Sequence, residues 1–156
     1  MTPPPRERQA YIEFNLQAWK TICSPGLPYD EGFIRRKIAR TYDRSFYPEG
    51  MARQFLAIFA GDSRQAALAR VTAPTLVIHG ADDPLLPEGH GQATAEAIPG
   101  AELLIIEGMG HDLPPTAWPV IVEAIARQAG IQTPLVHGVQ RLRAEKTFMD
   151  AGSNPR

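Results

Sequence analysis

Apolar residues recur at intervals of three and four through the first seventy positions, the spacing that lines one face of an α-helix. Tyr11, Phe14, Ala18 and Ile22, with Trp19 beside them, predict a first helix that buries this stripe. Pro25, Gly26 and Pro28 then break the chain, and Asp30 stands where it would cap a second helix carrying Phe33, Ile34 and Ile38. Phe46-Tyr47-Pro48 ends that unit. A third helix is expected from near Pro48, burying Met51, Phe55, Ile58 and Phe59, and a short fourth from Asp62 to Arg70 with Asp62 as its cap.

The period changes at Pro74. Thr75-Leu76-Val77-Ile78 is a continuous, partly β-branched apolar run between Pro74 and Gly80, the pattern of a strand buried on both faces. A helix follows from about Glu88 to Ile98 and stops at Pro99-Gly100, and Leu103-Leu104-Ile105-Ile106 repeats the strand pattern. Strand, helix and strand in this order form a parallel βαβ unit with a right-handed crossover. A closing helix, about Ala117 to Ala129, presents Ile121 and Ile125 and ends at Gly130. The chain therefore divides into a helical region (1–70), an α/β region (71–131) and a polar tail without periodicity (132–156). Two parallel strands are too few for a self-sufficient sheet, so neighbours along the strand edges are expected from elsewhere.

Composition narrows the function. The 156 residues hold 16 basic and 17 acidic side chains, a net charge of −1, with 44% hydrophobic residues, as in one soluble globular domain. That balance supplies no basic field for nucleic acid or an anionic membrane surface. No run approaches the roughly 18 apolar residues of a membrane span, and MTPPPRERQAYIEFNLQAWK has no continuous apolar core of a secretory signal. A single cysteine, Cys23, rules out an internal disulfide framework and a cysteine-built zinc site, in keeping with a cytoplasmic setting.

Candidate chemistry gathers in two loops, each at the C-terminal end of a predicted parallel strand, where open α/β sheets place ligands and catalytic groups. The first is His79-Gly80-Ala81-Asp82-Asp83-Pro84-Leu85-Leu86-Pro87, and the second Glu107-Gly108-Met109-Gly110-His111-Asp112-Leu113-Pro114. Glycines around His111 let the backbone turn sharply and hold the imidazole clear of the strand. An aspartate from the neighbouring loop would accept its Nδ1–H, fixing the tautomer and stabilising an imidazolium. Asp82-Asp83-Pro84 is also a turn sequence in its own right. His79 reads as a satisfied structural histidine and His90 and His137 as solvent-facing. Neither a cofactor nor a metal is expected, since no spacing brings His79, Asp82 and Asp83 to one point.

APTLVIHGADDPLLP followed by IPGAELLIIEGMGHDLP resembles the C-terminal half of an α/β-hydrolase-fold enzyme. It is similar to the esterase and perhydrolase-like branch that includes anthracycline methylesterases. The family pattern Gly-x-x-Asp-x-x-x-Pro falls on Gly80, Asp83 and Pro87, which implies Asp83 as the triad acid and Asp82 as the turn residue. The family's Gly-His falls on Gly110 and His111, which implies His111 as general base. The resemblance is carried by residues 74–130, while 1–70 resemble the helical cap of such enzymes. The implied fold is thus a partial α/β-hydrolase: helical cap, two-strand parallel βαβ unit and closing helix.

The nucleophile elbow Gly-x-Ser-x-Gly is missing from the 156 residues. Ser24, Ser45, Ser63 and Ser153 lack the strand before and the flanking glycines that the strained turn requires. Two functions follow. In one, the chain supplies the acid and histidine for hydrolysis of a small carboxylic ester or related acyl compound, completed by a nucleophile-bearing N-terminal half. In the other, it is a non-catalytic fragment or subunit that binds a partner, or itself, through strand edges and apolar helix faces. A truncated chain is the favoured expectation, with a gene split into two subunits and self-pairing as alternatives.

Overall fold

The computed structural model describes residues 4–61 and 63–131. The helical region opens with α1 (Arg8–Ile22) and α2 (Glu31–Arg44), which pack as a hairpin. Each begins on a carboxylate that accepts otherwise orphaned amides. Glu7 takes those of Gln9 and Ala10, and Asp30 takes that of Phe33 at 2.8 Å. The seam buries Ile12, Leu16, Ile34 and Ile38, flanked by Tyr11, Trp19 and Phe33. Asp30 and the apolar positions of α2 are as the pattern predicts. The stripe on α1 is not: Phe14 is 41% exposed, and Leu16 is the most deeply buried side chain of the seam at 1%. Positions 12, 16 and 19 form a second helical stripe beside 11, 14, 18 and 22, and packing against α2 selects it.

Next come α3 (Pro48–Ala60) and α4 (Gln65–Leu68). The third helix forms where predicted, but Met51, Phe55, Ile58 and Phe59 are exposed, Phe59 at 82%. No described element packs broadly against α3, so its apolar face has nothing to bury it. The fourth helix is shorter than expected and begins after Arg64 without a side-chain cap, and Asp62 lies outside the described residues.

The α/β region follows its predicted order: β1 (Leu76–Gly80), α5 (Gly89–Ala97), β2 (Glu102–Ile106) and α6 (Trp118–Gln128), the last led in by a 3-10 turn over Pro115–Ala117. The strands pair in parallel, Leu76 opposite Glu102 through Gly80 opposite Ile106. Leu104, Ile106, Met109, Val120, Ile121 and Ala124 form its core, with Leu76 and Ile78 against it. Within α6, Ile121 is buried as expected, whereas Ile125 is 52% exposed. Along β1 only Gly80 is buried, against the expectation of a strand covered on both faces, because this sheet gives each strand one neighbour. Gly130 closes α6 in the left-handed conformation at φ 71°. Among the described residues no helix is long and apolar enough to cross a membrane. The predicted tail, with His137, lies outside the described residues.

The assignment of the α1 seam is testable by urea unfolding. Leu16→Ala is expected to cost about 2–5 kcal/mol as a cavity in a closed seam. Phe14→Ala, on the exposed side, is expected to stay within about 0.5 kcal/mol.

Candidate active site

The loops after β1 and β2 are tied together by main-chain hydrogen bonds before any side chain is considered. The Ala81 amide donates to the Ile106 carbonyl and the Asp82 amide to that of Met109, both at 3.0 Å. The two aspartates then separate. The Asp82 carboxylate accepts the Gly108 amide at 2.9 Å, a bond that holds the second loop against the first. Gly108 sits at φ 75°, a conformation glycine adopts without steric cost.

Asp83 is buried, and its two oxygens have different partners. Oδ1 accepts the amides of Leu85 at 2.8 Å and Leu86 at 2.9 Å, closing a turn through Pro84. Oδ2 accepts the Nδ1–H of His111 at 2.7 Å. Burial alone would raise the Asp83 carboxyl. The Leu86 amide, the His111 ring and the Leu85 amide outweigh it and hold the group below the ordinary carboxylate range. With Nδ1 donating to a carboxylate, the neutral His111 ring carries its lone pair on Nε2, the form a general base needs. The His111 side chain is 35% exposed, and Nε2 has no hydrogen-bond partner among the described residues.

The structure thus brings Asp83 and His111 together and sends Asp82 elsewhere. His79 donates Nε2–H to the Leu86 carbonyl at 2.8 Å and stays 3.8 Å from Asp83 Oδ2, a structural histidine bracing the same turn. His90 is exposed. With His79 on a carbonyl and Asp82 on an amide, these residues and Asp83 do not converge as metal ligands.

The pairing of two further residues, Ser24 and Asp112, is not evident in the sequence. Ser24, buried in the turn after α1, donates its hydroxyl and its amide to Asp112 Oδ1 and accepts the Gly110 amide at 2.9 Å. Its hydroxyl faces Asp112, not the imidazole, so it is no nucleophile for His111. Only the helix-ending Ser-Pro at 24–25 and the Asp next to the histidine hint at this pairing, and neither is specific. Two surface grooves, of about 700 and 990 Å³, lie away from the dyad. One runs between Phe33, Arg40 and Trp118 and the other between Leu68, Pro87 and His90, and neither is lined by Asp83 or His111.

The chain, with its parallel βαβ unit, a buried aspartate after one strand and a histidine after the next, is similar to known proteins of one fold family. The family model described as TAP-like protein matches residues 59–126. Rhodomycin D methylesterase of Streptomyces peucetius is 32% identical over 112 residues, 71% of this chain and 37% of that protein. A bromoperoxidase from Bacillus anthracis superposes with a TM-score of 0.62 at 25% identity, over 76% of this chain and 44% of the other. A thermophilic esterase from Thermogutta terrifontis does so at 0.58 and 26%, over 78% and 44%. The chain belongs to the α/β-hydrolase family and spans under half the length of each of these relatives.

Asp83→Asn separates the two jobs of this carboxylate. The amide oxygen keeps the Leu85 and Leu86 amides, while its NH₂ faces Nδ1 and forces the ring proton to Nε2. Histidine ¹⁵N NMR is expected to show the His111 tautomer inverted. The pH dependence carries a second sign: a depressed carboxyl stabilises the fold above the unfolded carboxylate range, and that stability is lost as pH falls through the folded value. Acid titration of unfolding is expected to be shallower in Asp83→Asn than in the wild type.

Proposed function

We propose that this chain carries the acid and general base of a serine-esterase triad, Asp83 and His111, and acts on a small carboxylic ester when a Gly-x-Ser-x-Gly segment stands beside it. The observation that carries this reading is the 2.7 Å bond from His111 Nδ1 to a buried, amide-anchored carboxylate, with Nε2 free of a hydrogen-bond partner among the described residues. In such a site the serine Oγ attacks the acyl carbon as its proton passes to Nε2. Asp83 stabilises the imidazolium, which then protonates the departing alkoxide. Water repeats the sequence on the acyl-enzyme: its oxygen bonds the acyl carbon as Nε2 takes its proton, the acyl–Oγ bond breaks, the imidazolium returns the proton to Oγ and the carboxylic acid leaves. The oxyanion donors belong to the residue after the nucleophile and to a further loop, so they too come from the completing segment. The methylesterase among the relatives favours an ester with a small alkyl leaving group.

The exposed apolar side of α3 and, separately, the half-buried β1 support a role in association, with a complementing N-terminal subunit or with a second copy. Light scattering on the isolated chain is expected to show self-association, and a cooperatively unfolding monomer would contradict it.

Activity gives the sharper test. The isolated chain is expected to leave an activated aryl ester at background and to escape labelling by a fluorophosphonate. Mixing it with a separately expressed half that bears the elbow is expected to restore turnover. His111→Ala in the mixture would then remove about 10⁴–10⁶ of the gain in kcat. Hydrolysis by the isolated chain that survives His111→Ala would overturn the reading.

A further inference from the structure

The turn after α1 and the histidine loop are fastened together at four successive points, although 86 to 88 residues separate the paired side-chain contacts. The Gly26 amide donates to the Gly108 carbonyl at 3.0 Å, and the His111 amide to the Ile22 carbonyl at 2.8 Å. Between them, the Ser24 hydroxyl accepts the buried Gly110 amide at 2.9 Å. Ser24 also donates its amide, at 2.8 Å, and its hydroxyl to Oδ1 of Asp112, a carboxylate only 8% exposed that has no ion-pair partner among the described residues. A Cβ on Gly110 would come within 2.6 Å of the Cys23 carbonyl, so glycine is what lets the two main chains approach.

A buried carboxylate without a cation is costly unless hydrogen bonds hold it, and here Ser24 supplies them. The residues on either side of His111 in sequence, Gly110 and Asp112, are the two that Ser24 grips. We propose that Ser24 and Asp112 are positioning residues: their contact aims the His111 imidazole at Asp83 and couples the α1–α2 hairpin to the general base. This inference rests on the reading of His111 as that base. Movement of the hairpin would be felt at Nε2 through these bonds.

The test uses the full chain labelled with ¹⁵N-histidine, the His111 signals assigned through His111→Gln. In the wild type the His111 Nδ1 proton, bonded to Asp83, is expected downfield and slow to exchange with water. Ser24→Ala and Asp112→Ala are expected to speed that exchange by at least about tenfold, the scale of one lost hydrogen bond. The His79 Nε2 proton, held by the Leu86 carbonyl in the neighbouring loop, is expected to stay unchanged as an internal control. Asp112→Asn keeps an oxygen for both Ser24 donors and is expected to retain the wild-type His111 signal. Unchanged His111 exchange in Ser24→Ala would overturn the proposal. So would equal loss of the His79 and His111 protons, or unfolding, in both alanine variants, because the contact would then serve stability alone. The readout belongs to the dyad in this chain, so it succeeds or fails independently of ester hydrolysis by the completed fold.

Discussion

The site depends on one carboxylate that is held before it is used. Asp83 Oδ1 is committed to the amides of Leu85 and Leu86, so the group cannot rotate to meet the histidine on any other terms. Oδ2 is left at a fixed point, and His111 meets it at 2.7 Å. Burial would otherwise favour the neutral acid, and two backbone donors together with the ring oppose it. The result is an anion poised beside an imidazole, built from local turn chemistry at the end of one strand.

The rest of the α/β region serves that point. Parallel pairing of β1 with β2 sets Gly80 opposite Ile106, so the acid loop and the histidine loop leave the sheet side by side. Asp82, adjacent to the acid, ties the loops by taking the Gly108 amide, and His79 braces the acid turn through the Leu86 carbonyl. Behind the sheet, Leu104, Ile106 and Met109 pack on Val120, Ile121 and Ala124 of α6 and keep the ends of the strands in place. The chemistry of two side chains thus rests on hydrogen bonds that any sequence with this register of glycines and aspartates could form.

Much of this was legible in the sequence because it is local. Proline and glycine bounded both strands, Asp30 announced α2, and the spacing of Gly80, Asp83 and Pro87 against Gly110 and His111 pointed to the two loops. What stayed hidden depends on partners far along the chain. The α1 helix offers two apolar stripes, and only α2 decides that Ile12 and Leu16 face inward while Phe14 does not. The grip of Ser24 on Asp112 spans 88 residues and uses residue types that are common in turns, so no local pattern reveals it. The helical period of α3 was read correctly, but periodicity reports an apolar face and not whether anything covers it.

That last distinction explains how a chain can hold the Asp83–His111 pair in good geometry and still present so much apolar surface. The acid and histidine need only the two strand ends and the turn after α1, all of which the described residues contain. A substrate pocket needs walls facing Nε2, and neither of the two large grooves is lined by the dyad. Leu56, Ile58 and Phe59 on α3 and Leu113 beside the histidine, each more than half exposed, are side chains of the kind that line apolar sites or interfaces when covered. The hydrogen bonds that fix Asp83 against His111 are therefore complete within these elements, while the apolar faces beside them are left open.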